Sequence, residues 1–289
     1  MVSPSFRFDG ICVAAHTPMA SDGGLDLAGV ERQAAHYAAH GIRSVFVGGT
    51  TGESLSLSLS ERMALAARWG EVTRGSNVAL VVHVGANCLS DSAEMAAQAA
   101  RLSAAAVSMV APSYFKPASV GDLVECLASV ASRAPGIPFY AYDIPAFTGI
   151  HFPIDVLLTE AARNIPNFAG AKYSNPDLGS YLLALRLDGG RFDLPWGIDE
   201  YMLAALCIGG RGSVGSTTNF APGVVRRIFA AHAAGDMHAA RHEQARLMEV
   251  IRIVARRGYI GSSKALMERL GVPVGPPRLH CHAPSADEI

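Results

Sequence analysis

Short apolar runs alternate with longer stretches in which apolar residues recur every three or four positions, and the alternation continues through most of the chain. The short runs read as buried strands at residues 10–17, 44–49, 79–85, 106–112, 138–144, 168–174, 194–198 and 210–216. Between them, residues 28–40, 59–74, 90–102 and 120–133 carry the helical period. The second of these opens with Ser58 followed three residues later by Glu61, a capping-box start. Eight β-then-α units without a long interruption predict a parallel (β/α)8 barrel, a TIM barrel, with its active site at the carboxyl ends of the strands. A doubly wound open sheet is disfavoured, because the first strand-to-helix turn, HTPMASDGG, lacks the glycine spacing of a dinucleotide fingerprint. Residues 222–257 are rich in helical pattern, and a further helix fits 262–270. No Pro/Gly/Ser-rich or charge-rich linker precedes them. The expectation is therefore one domain over residues 1–289, with a barrel at 8–221 and a C-terminal helical extension at 222–289 packed on it.

Composition narrows the class of partner. Half of the 289 residues are hydrophobic and the formal net charge is -1, which indicates neither a nucleic-acid-binding surface nor a disordered acidic tail. A small molecule is the expected partner. The longest apolar run, near residues 79–84, is far short of the ~20 residues a membrane helix needs, so a cytoplasmic protein without membrane association is expected. Cys12, Cys88, Cys126, Cys207 and Cys281 are scattered and lack C-x-x-C spacing, which suggests neither a disulfide framework nor a zinc site. The bases carry a sharper signal, with 21 arginines but only three lysines, Lys116, Lys172 and Lys264. Arginine can serve any surface charge role, so a lysine in an unlikely place calls for a chemical reason.

Lys172, in FAGAKYS, lies inside a strand pattern at the end where a barrel keeps its reactive groups. Desolvation there disfavours the ammonium and favours the neutral amine that attacks a ketone to form a Schiff base. A strand-end lysine reaching to solvent is the alternative that spacing leaves open. Lys116 and Lys264 read as ordinary solvated charges. Tyr142, in PFYAYDIP, ends the preceding strand, where its hydroxyl could relay protons to the substrate oxygen; a packed core tyrosine is the other reading. The turn GGTTGES at residues 48–54 offers backbone N–H groups and the hydroxyls of Thr50 and Thr51 to a carboxylate, or is a structural glycine turn. Asp199 and Glu200, in WGIDEY, could accept hydrogen bonds from substrate hydroxyls or cap the following helix. Ser216, in GSVGSTTN, could line the same site or belong to a cap. His16, His83, His280 and His282 form no metal-binding motif, so a metal centre is not expected.

Together, GGTTGES with the following SLSER, YDIPAFTG, AKYS, GIDE and GSTTN resemble the superfamily of dihydrodipicolinate synthase and N-acetylneuraminate lyase, in order and spacing. The resemblance runs from about Gly10 to His280. HVGA at residues 83–86, APSYFKP and VPVGPPRL place the chain nearer the lyases. It implies Lys172 as the Schiff-base former, Tyr142 as the relay, and Thr50 and Thr51 on the substrate carboxylate. Tyr114 matches a tyrosine that family members lend across a subunit interface. Gly197, Asp199, Glu200 and Ser216 match positions that in lyases contact a polyhydroxyl tail. Phe147 stands where the synthase has an Arg, which argues against the synthase. Asp143 and Ser174 depart from the commoner Asn or His and Thr, and both keep a polar group. The family is usually a tetramer, a dimer of dimers, without a cofactor. The resemblance thus implies an aldolase cleaving N-acetylneuraminate reversibly to N-acetylmannosamine and pyruvate. An aldolase for another 2-keto-3-deoxy sugar acid, or a dihydrodipicolinate synthase-like enzyme, is the near alternative, and a keto-acid sensor that turns nothing over is the distant one.

Overall fold

The computed structural model describes residues 6–278 and Cys281. In chain order its elements are β1 (Gly10–Ala14), α1 (Gly29–Ala39), β2 (Ser44–Val47), α2 (Leu59–Thr73), β3 (Ala79–His83), α3 (Leu89–Arg101), β4 (Ala106–Val110) and α4 (Val120–Ala131). They continue with β5 (Phe139–Asp143), α5 (Pro145–Thr148), α6 (Ile154–Asn164), β6 (Phe168–Tyr173), α7 (Leu178–Arg186), α8 (Met202–Cys207) and β7 (Gly212–Gly215). Three helices follow, α9 (Pro222–Ala233), α10 (Met237–Ala255) and α11 (Tyr259–Arg269). The strands are shorter than the apolar runs that predict them, and the surplus lies mostly at their carboxyl ends. There the chain leaves the ladder to form loops.

The chain divides into two compact units, one of residues up to Gly10 with Leu80–Val214, the other of Ile11–Ala79 with Gly215 onward. In the first, β3, β4, β5 and β6 pair in that order, all parallel. Their near-continuous Val, Ala and Phe content is what parallel strands covered on both faces require. Among the described residues seven strands form rather than the expected eight. The run predicted at 194–198 is instead a bridging segment, whose Pro195 carbonyl accepts from Tyr173 N (2.9 Å) while Gly197 N donates to Tyr173 O (2.8 Å). On its other side Trp196 N donates to Gly212 O and Val214 N to Trp196 O, both at 2.8 Å. Pro195 has no N–H and cannot extend a regular ladder, so the segment pairs with β6 and β7 through isolated bridges.

The amino-terminal stretch of this unit is fixed by one buried carboxylate. Asp193 Oδ2 accepts from Phe8 N at 2.7 Å and from the Tyr140 hydroxyl at 2.8 Å. The Phe8 ring meets the Tyr140 ring edge-on, with centroids 5.0 Å apart. Burial pushes the Asp193 carboxyl above the usual carboxylate range, and the two donors oppose that shift.

In the second unit β1 pairs with β2, also parallel. The Asn219 side chain ties three pieces together: it accepts from the Tyr37 hydroxyl on α1 at 2.5 Å and donates to Ala14 O on β1 at 2.7 Å. Tyr37 stacks on Trp69 of α2, whose start is the capping box expected from Ser58 and Glu61. The helical pattern expected at 222–257 forms two helices. They part at Gly235, which has positive φ, and Asp236, whose carboxylate caps α10. Phe220, Val254, Met267, Val272 and Val274 make one apolar cluster, so α10, α11 and the segment after α11 share a core. No helix among the described residues is long and apolar enough to cross a membrane.

Replacing Asp193 by Ala would take the buried acceptor from the Phe8 amide, at about 1–3 kcal/mol for an orphaned donor, while the Tyr140 hydroxyl keeps the Phe6 carbonyl at 3.2 Å. Urea unfolding of Asp193→Ala should show a stability loss of about 1–3 kcal/mol, and an unchanged midpoint would exclude the carboxylate as the anchor of the amino-terminal segment.

Candidate active site

The register of β5 and β6 sets Tyr142 opposite Lys172. In parallel strands such partners project to the same side of the sheet. Both residues are buried, Lys172 at 3% exposure, and its Nζ lies 4.2 Å from the centroid of the Tyr142 ring. A strand-end lysine reaching to solvent is therefore not what forms. The Tyr142 ring is backed by His83, which meets it edge-on at 5.8 Å and accepts a hydrogen bond from Val110 N through Nε2 (3.2 Å). That bond leaves the His83 proton on Nδ1 and holds the imidazole as a wall of the site.

Gly197 and Ser174 complete the surroundings of the amine. A Cβ on Gly197 would fall 2.0 Å from Ser174 Oγ and 3.2 Å from Lys172 Cε, so only glycine lets the bridging segment pass this close to the lysine stem. The Ser174 hydroxyl is buried and has no hydrogen-bond partner among the described residues. A buried hydroxyl without a partner beside a buried amine is a group ready for a ligand oxygen. Asp143, the next residue after Tyr142, accepts from Asn175 Nδ2 at 3.2 Å and lines a small cavity with Met109, Ile144 and Ile150. Burial raises its carboxyl to about 6, against the opposing effect of Asn175 and His151.

Downstream, Asp199 is buried and begins a 3-10 turn, and Glu200 follows it. The residues that precede this turn and α8, Ile198 and Tyr201, make no side-chain cap, while the Glu200 carboxylate accepts a backbone hydrogen bond of its own. The Glu200 carboxyl is pushed up, first by burial and then by the neighbouring Asp199 charge. Tyr114 stands apart from this group on an exposed loop, 78% exposed, its ring set edge-on to Phe115. The amides of Ser113 and Tyr114 donate to Asn87 Oδ1 at 2.9 and 3.1 Å, which fixes the loop backbone.

The other unit holds Thr50, Thr51 and Ser216. The GGTTGES turn is tightly closed: Gly52 N donates to Gly49 O (3.1 Å), Glu53 N to Thr50 O (3.0 Å) and Ser54 N to Gly49 O (3.3 Å). Thr51 is buried, and Thr17 Oγ1 donates to Gly52 O at 2.6 Å. Ser216 is engaged by the Tyr259 hydroxyl of α11 at 2.8 Å. The reading of Lys264 as a solvated charge is corrected here, since it is 1% exposed and its Nζ donates to Glu53 Oε1 at 2.8 Å. Its helix-start position in the sequence gave no sign of a partner 211 residues away. Lys116 is exposed, as expected. His16 is buried with its Nε2 2.9 Å from Ser263 Oγ, and burial lowers it to about 3, so the ring is neutral. His280 and His282 lie outside the described residues, among which no three His, Cys, Asp or Glu side chains gather to hold a metal.

Comparison with known proteins extends this picture. The model of the dihydrodipicolinate synthetase family matches residues 7–288. N-acetylneuraminate lyase A of Xenopus laevis is 41% identical over 276 residues, covering 94% of this chain and 90% of its own. N-acetylneuraminate lyase of Gallus gallus is 36% identical over 282 residues, covering 96% and 92%. Among solved structures, Proteus mirabilis N-acetylneuraminate lyase superposes with a TM-score of 0.94 at 32% identity, covering 98% of this chain and 95% of that one. With its family motifs in order and nearly its whole length matched, the chain belongs to the dihydrodipicolinate synthetase family.

Proposed function

We propose that this protein is a class I aldolase that cleaves N-acetylneuraminate reversibly to N-acetylmannosamine and pyruvate, through a Schiff base on Lys172. The observation that carries the reading is the Lys172 amine, buried and seated on the Tyr142 ring with the Gly197 backbone against its stem. The relatives at 36–41% identity are N-acetylneuraminate lyases, which is what turns a Schiff-base site into this substrate. In the cleavage direction the amine adds to the substrate ketone and water leaves, forming an iminium. The carbon–carbon bond between the third and fourth carbons then breaks. Its electrons move toward the iminium to form an enamine, while the Tyr142 oxygen takes the proton of the substrate hydroxyl that becomes the aldehyde. Protonation of the enamine and addition of water release pyruvate and restore the amine. No cofactor is called for, since the iminium itself is the electron sink.

The remaining roles follow the family resemblance. Thr50 and Thr51 hold the substrate carboxylate, and the closed turn that carries them supports this. Gly197, Asp199, Glu200 and Ser216 face the hydroxylated tail, and Ser174 is a further substrate-binding residue, which its buried and unpartnered hydroxyl favours. The architecture we assign is the closed (β/α)8 barrel with its C-terminal extension as one domain, with residues 193–197 standing as the further strand between β6 and β7. The assembly is a tetramer in which Tyr114 completes a neighbour's relay, a reading favoured by the exposure of Tyr114 and Phe115 together. Five free cysteines fit a reducing cytoplasm. An aldolase for another 2-keto-3-deoxy sugar acid is the second reading, favoured by Asp143 and Ser174 at the site.

Four measurements test this assignment and its assembly. Borohydride with pyruvate should add a stable mass at Lys172, and Lys172→Ala should release no pyruvate from N-acetylneuraminate; a chain that stays unmodified would instead be a non-catalytic binder. Tyr142→Phe should lower kcat by about 100- to 10,000-fold with Schiff-base trapping retained. A panel of 2-keto-3-deoxy acids read by pyruvate release decides between the two substrates. Light scattering should give a tetramer, and Tyr114→Phe should reduce kcat without changing that mass, whereas a fully active monomer would exclude the shared relay.

Asp143 gives a pH test. Its carboxyl titrates at about 6 in the fold and at 3.8 when unperturbed, so between these values the native state holds a proton that the unfolded chain releases. Stability must then fall as pH rises through that window. Asp143→Asn should flatten this slope, gaining on the native protein above about pH 6 and not below about pH 4. Parallel melting curves for the two proteins across the window would show that Asp143 is not the titrating group.

A further inference from the structure

Glu53 occupies a position where local geometry favours a different residue. Its φ of 56° lies in the left-handed region, which suits Gly or Asn and costs a glutamate about 1–2 kcal/mol. Its side chain offers a reason for its presence. One carboxylate oxygen accepts from Lys264 Nζ at 2.8 Å, and the other from the backbone N of Arg278, also at 2.8 Å. Lys264 Nζ also donates to Pro276 O at 2.9 Å, and the Arg278 guanidinium bonds Glu61 near the start of α2. The side chains of Glu53 and Lys264 are 2% and 1% exposed. This carboxylate is thus held by two donors from α11 and from residues 272–278, the VPVGPPR stretch that the proposed chemistry leaves without a task.

That stretch is built to lie where it does. Met19 N donates to Val274 O at 3.0 Å, and a Cβ on Gly275 would fall 1.8 Å from Met19 O. The other groups facing Lys264 are consistent with a fixed ion pair. His16 is neutral and so does not compete with the ammonium, and Cys281 has its thiol pushed up, first by burial and then by the Glu53 charge. Burial lowers Lys264 from its ordinary value while Glu53 opposes that, which is the balance expected of a charge kept in place by its partner.

A buried ion pair is a poor device for stability, because an apolar pair of similar size commonly does as well. What it supplies is direction. The Glu53 amide closes the turn on the Thr50 carbonyl, so a carboxylate clamped on both oxygens fixes the turn that presents Thr50 and Thr51. We propose that Glu53 is a positioning residue for substrate binding, with Lys264 and residues 272–278 as its clamp, setting the Thr50–Thr51 turn for the carboxylate of the keto acid. The inference rests on the reading that this turn binds the carboxylate.

The test uses two ketones on the full-length protein, pyruvate and acetone, each trapped at Lys172 by borohydride. Acetone has no carboxylate and counts the competent amines; pyruvate also reports the turn. In Glu53→Gln and in the double variant Glu53→Met with Lys264→Met, the half-saturating pyruvate concentration should rise about tenfold or more while acetone trapping stays at the wild-type level. In steady state KM should rise with kcat largely kept, the signature of lost uniform binding. Lys264→Arg, which keeps the charge, should recover part of the pyruvate affinity in an otherwise wild-type chain relative to Lys264→Met. Thr51→Val separates the two levels of the argument. If it leaves pyruvate half-saturation unchanged, the carboxylate reading of the turn fails. If it weakens pyruvate while both Glu53 variants bind it as wild type does, the positioning role is overturned. Loss of pyruvate and acetone trapping in the same proportion, tracking the unfolded fraction in a thermal melt, would overturn it as well, because the clamp would then serve folding alone.

Discussion

The structure turns on keeping one primary amine out of water beside an aromatic face. Lys172 is placed by the register of two parallel strands, β5 and β6, and its surroundings are set by a glycine that lets the backbone of residues 193–197 come within reach of its stem. A lysine on a flexible loop could visit such a place, but would spend rotamer entropy each time it did so. On a central strand the side chain is delivered once, by folding, and the sheet holds it there. The parallel arrangement matters for this reason, since it brings successive strand ends, and the reactive groups on them, to one side.

The unit that carries Lys172 is held by groups that take no part in chemistry. Asp193 gathers the amino-terminal segment and Tyr140 onto one carboxylate oxygen, and Tyr140 lies two residues before Tyr142 on the same strand. Alternation puts the two tyrosines on the same face. One is tied off deep in the fold, while the other stands at the strand end against the amine. In the other unit Asn219 ties α1 to β1, and the Glu53–Lys264 pair ties α11 to the glycine turn. Every one of these contacts satisfies a polar group that would otherwise cost free energy in an apolar interior.

Much of this was legible from periodicity. The seven strands, the capping box on α2 and the helices to the C-terminus sit where the pattern of apolar residues puts them. The departures have local causes. Residues 194–198 look like a strand because they are apolar, yet Pro195 cannot donate to a ladder, so the segment bridges its neighbours without becoming a strand. Strand ends came out shorter than the apolar runs because the chain turns out of the ladder into loops by His16, Gly85, Ile144 and Ser174. Lys264 was misread because a polar helix start looks the same whether or not a glutamate from a distant turn meets it. His83 as the wall behind Tyr142, and Asp143 as a carboxyl titrating at about 6, had no signature of their own.

The sequence by itself determined the class of fold and singled out a lysine in a strand among a chain full of arginine. These are statements about local spacing and composition, which need no knowledge of distant neighbours. Tertiary structure alone decided which buried lysine sits against an aromatic ring and which is paired with a carboxylate. Lys172 and Lys264 are equally hidden from water, at 3% and 1% exposure. What separates them is the company each finds, an aromatic face for one and a glutamate for the other. The state of a buried charge depends on groups brought within a few ångströms by folding, and no local pattern along the chain records that distance.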